Sequence, residues 1–364
     1  MNLRRLSAIL ILSGALAACS NSTQSLPATG MATGANGAVA DGSVASVASW
    51  HSALHQSPLP AAGCYKASYP STSWQKIACI TPPKLWYPPR TRHPKLGQNV
   101  GDGRDYSIDV TPNIISQSIG SFPVAKDVKT VTSEGCCGEQ GLNSYTFQLN
   151  SNFFTSKACG TLKNCAGWSQ FVYENPPGNG QGALFIQDWL VPIAGSGFSS
   201  CPPGQGWEFA DGGCVQNSPG GVNIPNVAIS SVGSIIETGV AATSGDSVYM
   251  SVGKTEYGMK NVQSDGITDL LAGWQGSEFN IIGNAGGDIA DFNSGAKISI
   301  NIQAEDGVKT APSCPANSGT TGETNNLFFI KAPKKVAAQQ YPSVEFAMSS
   351  KAGKTATCDV VAAK

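Results

Sequence analysis

The folds open to this chain are narrowed most by a series of short β-type runs parted by turn clusters, with no helical period between them. The runs are Tyr106–Val110, Tyr145–Asn150, Ser169–Glu174, Ala183–Leu190, Ile235–Val240, Asp246–Val252, Thr255–Tyr257, Glu278–Ile282, Lys297–Gln303, Asn326–Ile330 and Ser343–Met348. They are rich in β-branched and aromatic residues, which suit a pleated, half-buried surface. The 42 glycines and 22 prolines of the chain supply the turns between them. So many strands without helical interludes predict an all-β fold, a two-sheet antiparallel, lectin-like (jelly-roll) sandwich. No internal repeat is present, which argues against a propeller or solenoid. Alternation is sharpest in Lys297–Gln303, where Ile298, Ile300 and Ile302 all point one way, into the core. Ala183-Leu184-Phe185-Ile186 is apolar on both faces, which predicts a central strand.

At the N-terminus, Arg4 and Arg5 precede an apolar run from Leu6 to Leu16, and Ala17-Ala18 lead into Cys19. A positive start, a short apolar run and small residues mark a secretory signal, and the run is too short for a bilayer-spanning helix. Leu16-Ala17-Ala18-Cys19 resembles the lipobox of bacterial lipoproteins. That resemblance implies cleavage before Cys19 and lipidation of Cys19. With Ser20 following rather than an aspartate, it implies residence at the outer membrane of a two-membrane bacterium. The expected segments are a signal peptide over 1–18, a lipid-anchored flexible tether over 19–49, a Pro-rich disulfide-containing lead-in over 50–104 and the sandwich domain over 105–364. The tether is Gly, Ala, Ser, Thr and Val, with too little apolar bulk to offset the entropy of ordering. One expected partner is therefore the membrane, reached through the anchor. Charged residues make up only 13% and the net charge is -1, so no basic field for nucleic acid is present.

Setting Cys19 aside from the eleven cysteines leaves an even set in an exported chain, for which disulfides are the default. Proximity in sequence suggests Cys64–Cys79, Cys159–Cys165 and Cys201–Cys214 as loop staples, with Cys314–Cys358 as a further pair. Cys136 and Cys137 are then left either to each other or to distant partners, and connectivity stays open at this level. No cysteine pair has zinc-knuckle spacing, and His51, His55 and His93 stand outside the cysteine groups. The run Pro82-Pro83-Lys84-Leu85-Trp86-Tyr87-Pro88-Pro89 is extended by steric necessity. It reads first as a strap across the protein's own surface, and otherwise as a ligand for an aromatic groove.

No histidine follows His93, so a His-assisted serine or cysteine hydrolase needs His51, His55 or His93 to fold back over the sandwich. The glycine clusters lack the following lysine and helix of a phosphate loop, and no cofactor is called for. Gln187 and Asp188 interrupt an apolar strand and face opposite sides of it, so each needs partners or a role if buried. Glu208 sits between Trp207 and Phe209, and Glu278 precedes Phe279. Carboxylates beside aromatics can act as general acids, since apolar surroundings raise their pKa. With Trp189 and Trp207 they can equally line a sugar groove, or simply be strand-edge polar residues near core aromatics. Asp288, Asp291 and Asn293 offer oxygens at short intervals that could hold calcium, or could form Asx turns.

The series Ser169–Tyr173, Ala183–Gln187, Gly245–Val252 and Ser277–Ile282 resembles the strand order of the eqolisins, the glutamic peptidases, over roughly Ser169 to Ile302. The resemblance implies a lectin-like, concanavalin-type sandwich and a glutamine–glutamate dyad that activates water. Gln187 stands where that family's glutamine falls. The place of its catalytic glutamate is held here by Ile282, and Glu278 matches a neighbouring position. The later stretches Gly286–Gly295 and Thr321–Leu327 resemble secreted bacterial sandwich proteins of no assigned activity. Two functions are thus expected. The leading one is a lipid-anchored envelope module that binds glycan or protein. The alternative is an acid hydrolase in which Gln187 and a glutamate, Glu208 or Glu278, activate water.

Overall fold

A computed structural model describes residues 44–55, 57–89, 104–135, 137–178, 180–195, 197–261, 267–333, 339–353 and 355–364. The signal, Cys19, the tether up to residue 43, His93 and Cys136 lie outside the described residues. The strands are numbered in chain order. The larger sheet runs from edge to edge as β19 (Phe328–Ile330), β20 (Ser343–Ser349), β18 (Lys297–Glu305), β4 (Gln117–Lys126), β13 (Ile235–Val240), β14 (Asp246–Val252), β15 (Thr255–Asn261), β1 (Gly63–Ser68) and β2 (Gln75–Ile77), with β21 (Cys358–Val361) on β20. The second runs β10 (Glu208–Ala210), β11 (Gly213–Asn217), β9 (Gln181–Pro192), β8 (Cys165–Asn175), β7 (Tyr145–Ser151), β16 (Gly276–Ile282) and β3 (Ile108–Asp109), with β12 (Val222–Pro225) on β9. A small third sheet holds β17 (Ile289–Phe292), β5 (Val131–Glu134) and β6 (Gly141–Leu142).

The two large sheets pack as the expected antiparallel sandwich. Ile298, Ile300 and Ile302 of β18 are fully buried with Phe122 of β4 and Met250 of β14, against Ile186, Phe171, Leu149 and Phe279 of the second sheet. Those last four are paired directly across β9, β8, β7 and β16, so they share the inner face. Strand β9 is buried from Gly182 to its end, as its two-sided apolar run predicts, because the outer face of this sheet is covered as well.

Several elements depart from the expectation, and β4, β1, β2 and an N-terminal helix matter most to the frame of the fold. Strand β4 is central to the larger sheet yet was not expected; it contains Gly120 and Pro123, residue types that strand interiors disfavour. A Cβ on Gly120 would lie 2.4 Å from the Phe279 ring, so the glycine serves close approach of the sheets. Pro123 falls where the β4–β18 register shifts, the kind of bulge that tolerates a missing N–H. Strands β1 and β2 extend the larger sheet from β15, so the lead-in forms part of the sandwich. Helix α1 (Val44–His55) begins inside the stretch expected as tether. It docks through Trp50 and Leu54, with Ala67 in the same cluster. All four expected disulfides are formed, Cys64–Cys79, Cys159–Cys165, Cys201–Cys214 and Cys314–Cys358. Cys137 is disulfide-bonded as well.

Candidate functional site

Since Phe279, Leu149, Phe171 and Ile186 point inward, the residues next to them point outward. The registers place Asn217 opposite Gln187, Gln187 opposite Gln170, Gln170 opposite Asn150 and Asn150 opposite Glu278. Paired residues share a face. One polar rung therefore crosses β11, β9, β8, β7 and β16 on the outer face. Gln187, Gln170, Asn150 and Glu278 in it are buried. Buried amides need hydrogen bonds; Asn217, Gln187 and Gln170 find them in the proline run, and Asn150 in the loop at Thr321.

Pro82–Pro89 lies over the rung as a strap, held by its main chain. Asn217 Nδ2 donates to the Pro83 carbonyl at 3.0 Å, and Gln187 Nε2 donates to that of Leu85 at 3.0 Å. The Tyr87 N–H donates to Gln187 Oε1 at 3.1 Å, while Gln170 Nε2 donates to the Tyr87 carbonyl at 3.0 Å. From the loop after β16, the Gly286 N–H donates to the Trp86 carbonyl at 3.1 Å. The Tyr87 side chain is fully buried on Val172, Ala183, Phe185 and Ile282, with its hydroxyl 3.3 Å from Thr146 Oγ1. Trp86 packs on the Trp168–Trp189 cluster. The prolines bring no N–H to bury beneath the strap.

Every polar atom of Gln187 is engaged here. Its Oε1 also accepts from Gln170 Nε2 at 2.8 Å and Trp189 Nε1 at 2.9 Å, and its Nε2 donates to Asn217 Oδ1 at 2.8 Å. Glu278 stands in the same rung three strands away, about 14 Å at normal strand spacing, with Gln170 and Asn150 between. One water cannot bridge that gap. The structure does not bring Gln187 and Glu278 together as a dyad.

Glu278 instead pins the loop before β19. Its Oε1 accepts from the Thr320 N–H at 2.8 Å, the Thr321 N–H at 2.9 Å, Thr321 Oγ1 at 3.1 Å and the Thr320 hydroxyl. Asn150 Nδ2 donates to it from the rung at 3.4 Å, and the Gly322 N–H reaches Oε2 at 3.3 Å. Asp105 lies against the same carboxylate. Burial first, then the charge of Glu278 and a hydrogen bond to it, raise the Asp105 pKa to about 9. Two such carboxyl groups in contact do not both ionise, so the Asp105–Glu278 pair holds one proton between them. A pocket of about 230 Å³ opens beside them, lined by Ser107, Asp109, Asn152, Gln275, Glu278 and Thr320. With donors already on both Glu278 oxygens, the pair acts as a latch on this loop and not as an exposed acid and base. Glu323 lies nearby, its pKa raised well above the usual carboxylate range chiefly by burial. It accepts from the Ile281 N–H at 3.1 Å and Asn325 Nδ2 at 2.6 Å.

The other expected residues lie apart. Asp188 faces inward, accepts from Ser169 Oγ at 2.6 Å, and has its pKa raised to about 7 by burial. Glu208 is exposed and pairs with strap residue Lys84 at 3.7 Å. Trp207 donates to Gln205 Oε1 at 3.0 Å and borders the Cys201–Cys214 loop, away from the rung. Trp189 is a buried core ring.

The calcium set does not converge. Asp288 accepts from the N–H groups of Cys137 and Gly138 and from Gln140. Asp291 accepts from Asn326, and Asn293 caps Lys129 and Thr130. These are turn contacts, and among the described residues no cluster of three His, Cys, Asp or Glu side chains is placed to hold a metal.

His51 and His55 do fold back over the sandwich, onto Glu256 at 2.5 and 2.9 Å. Ser251 Oγ donates to Glu256, not to an imidazole, so no triad forms.

Gln170, Asn217, Asn150, Tyr87 and Asp105 were not among the expected site residues. For Gln170 the available signal was an isolated amide in the apolar run Phe171-Val172-Tyr173, of the same kind as Gln187. No protein-family model matches this chain, and no curated protein or solved structure matches it either.

Proposed function

We propose that this protein is a lipid-anchored envelope module that binds protein, and that its binding surface is the outer face of the eight-stranded sheet. The observation that carries this is the grip on Pro83–Tyr87, in which side-chain amides of Asn217, Gln187 and Gln170 hold main-chain groups of an extended segment. A surface that reads backbone suits polypeptide better than glycan, and the buried position of Trp189 leaves it unable to stack on a sugar ring. The same bonds weigh against the hydrolase, because they take up every polar atom of its key residue, Gln187. The lipobox-like Cys19 supports placement at the outer membrane.

The test is hydrogen exchange on the full chain with an excess of permanently unfolded polypeptide, such as reduced and carboxymethylated α-lactalbumin. The expected result is faster exchange at the Tyr87 amide as the added chain replaces the strap, with the polypeptide left intact from pH 3 to 7. No response in the strap and β8–β9, or cleavage lost in Gln187→Ala, would overturn the proposal.

A further inference from the structure

We infer that Pro82–Pro89 is the built-in occupant of this groove, and that the external ligand is an extended peptide carrying a tyrosine for the seat now filled by Tyr87. This rests on the binding reading above and adds the ligand class and the way access is controlled.

The contacts divide into a general and a selective part. Main-chain bonds at Pro83, Leu85 and Tyr87 accept any extended chain. Selection lies in the Tyr87 seat, which encloses the ring on Val172, Phe185 and Ile282 and offers Thr146 Oγ1 to the hydroxyl. An extended peptide pre-organised by proline loses little entropy on binding in this way.

The strap also leaves part of the face unmatched. Gln170 Oε1 has no hydrogen-bond partner, nor has either polar atom of Gln148. Both residues are fully buried. Gln148 is paired across β7 and β8 with Val172 of the tyrosine seat. Most of these atoms are acceptors, and the proline-rich strap is poor in N–H groups. A ligand with more N–H groups than the strap can use them, so the resident segment is exchangeable rather than optimal.

Access is then set by competition. The strap is joined on its N-terminal side to the β1–β2 hairpin, held by Cys64–Cys79, so its local concentration at the groove is high. The loop after β16 closes over it. A Cβ at Gly286 would lie 2.7 Å from Pro88 Cδ and 2.9 Å from the Trp86 carbonyl oxygen. Gly286→Ala therefore forces loop and strap apart without altering a residue of the rung or the tyrosine seat.

The experiment measures fluorescence anisotropy of a labelled peptide of residues 82–89, Pro-Pro-Lys-Leu-Trp-Tyr-Pro-Pro, with the full chain. Gly286→Ala should bind it on the order of a hundredfold more tightly than the wild type, in which the tethered strap competes. Replacing the peptide's tyrosine by alanine should weaken binding at least about tenfold, as should Gln187→Ala in the Gly286→Ala background. Tyr87→Ala, which empties the seat, is the second release variant should Gly286→Ala fail to fold. A release variant that still unfolds cooperatively in urea and binds unfolded α-lactalbumin but not this peptide would overturn the inference and leave the binding reading standing. Binding of neither probe would overturn both.

Discussion

Asp105→Asn should abolish one component of this protein's pH-dependent stability. In the native state Asp105 titrates near pH 9, against 3.8 for an unperturbed aspartate. A raised folded-state value means that the native protein holds a proton the unfolded chain has released. The stabilisation is complete below the unfolded value and is lost as pH rises through about 9. Between those limits one extra bound proton gives a slope of about -1.4 kcal/mol per pH unit, or about 2.7 kcal/mol from pH 6 to 8. Asparagine keeps the shape and replaces the acid proton with a permanent N–H aimed at Glu278. Its oxygen still accepts from the Ser318 N–H, as Asp105 Oδ1 does at 3.1 Å. Buried acids remote from Asp105, such as Asp188 and Glu174, titrate alike in both proteins and cancel in the difference. The assay is urea unfolding of the oxidised protein at pH 6, 7 and 8, followed by tryptophan fluorescence. Trp168 reports on the latch, since its indole N–H donates to Thr320 Oγ1 at 2.8 Å. The variant should gain on the wild type by about 2.7 kcal/mol across this range. Parallel stability profiles would refute the shared proton.

Further outcomes follow from other contacts. Gln187→Ala leaves Tyr87 N–H, the Leu85 carbonyl and Trp189 Nε1 short of a partner. It should cost the strap about 3 kcal/mol locally, read as faster exchange of the Tyr87 amide. Gly120→Ala drives a methyl into the Phe279 ring and should cost about 1–3 kcal/mol in thermal or urea unfolding. Glu256 is fully buried; burial alone raises its pKa, but His55 and His51 together bring it below the usual value. Its contribution is therefore present above the unfolded carboxylate pKa and is lost as pH falls through the lowered one. Helix α1 should undock in acid, and Glu256→Gln should weaken its docking by about 3 kcal/mol at pH 7. Both changes are read from Trp50, whose indole N–H donates to the Ser71 carbonyl at 2.6 Å.

The sandwich was legible because its strands obey the period-two rule, and β13 and β14 match their expected bounds residue for residue. β4 was hidden because Gly120 and Pro123 answer to tertiary packing, with a ring from the facing sheet and a bulge beside β18. Helix α1 was hidden for a related reason. Its alanines, serines and valines show no strong apolar stripe, and Glu256, which anchors it, is remote in sequence. Alternation correctly sent Gln187 and Asp188 to opposite faces of β9. What alternation could not supply was register. Only strand pairing sets Gln187 beside Gln170 and leaves Glu278 at the far end of the rung. The strap was legible as an extended run because proline restricts its neighbours, but its seat was not. The Asp105–Glu278 proton-sharing pair joins residues remote in sequence; Glu278 stood out only through its neighbour Phe279, and Asp105 carries no local signal.

The most direct test of backbone capture by the outer face is an NMR measurement on the side-chain amides of Gln170 and Gln187. In the wild type their Nε2 groups donate to the strap carbonyls of Tyr87 and Leu85. In Gly286→Ala both resonances should move as the strap loosens, and addition of the residue 82–89 peptide should return them towards their wild-type positions. Resonances that stay fixed through peptide addition, in a folded variant, would contradict the account.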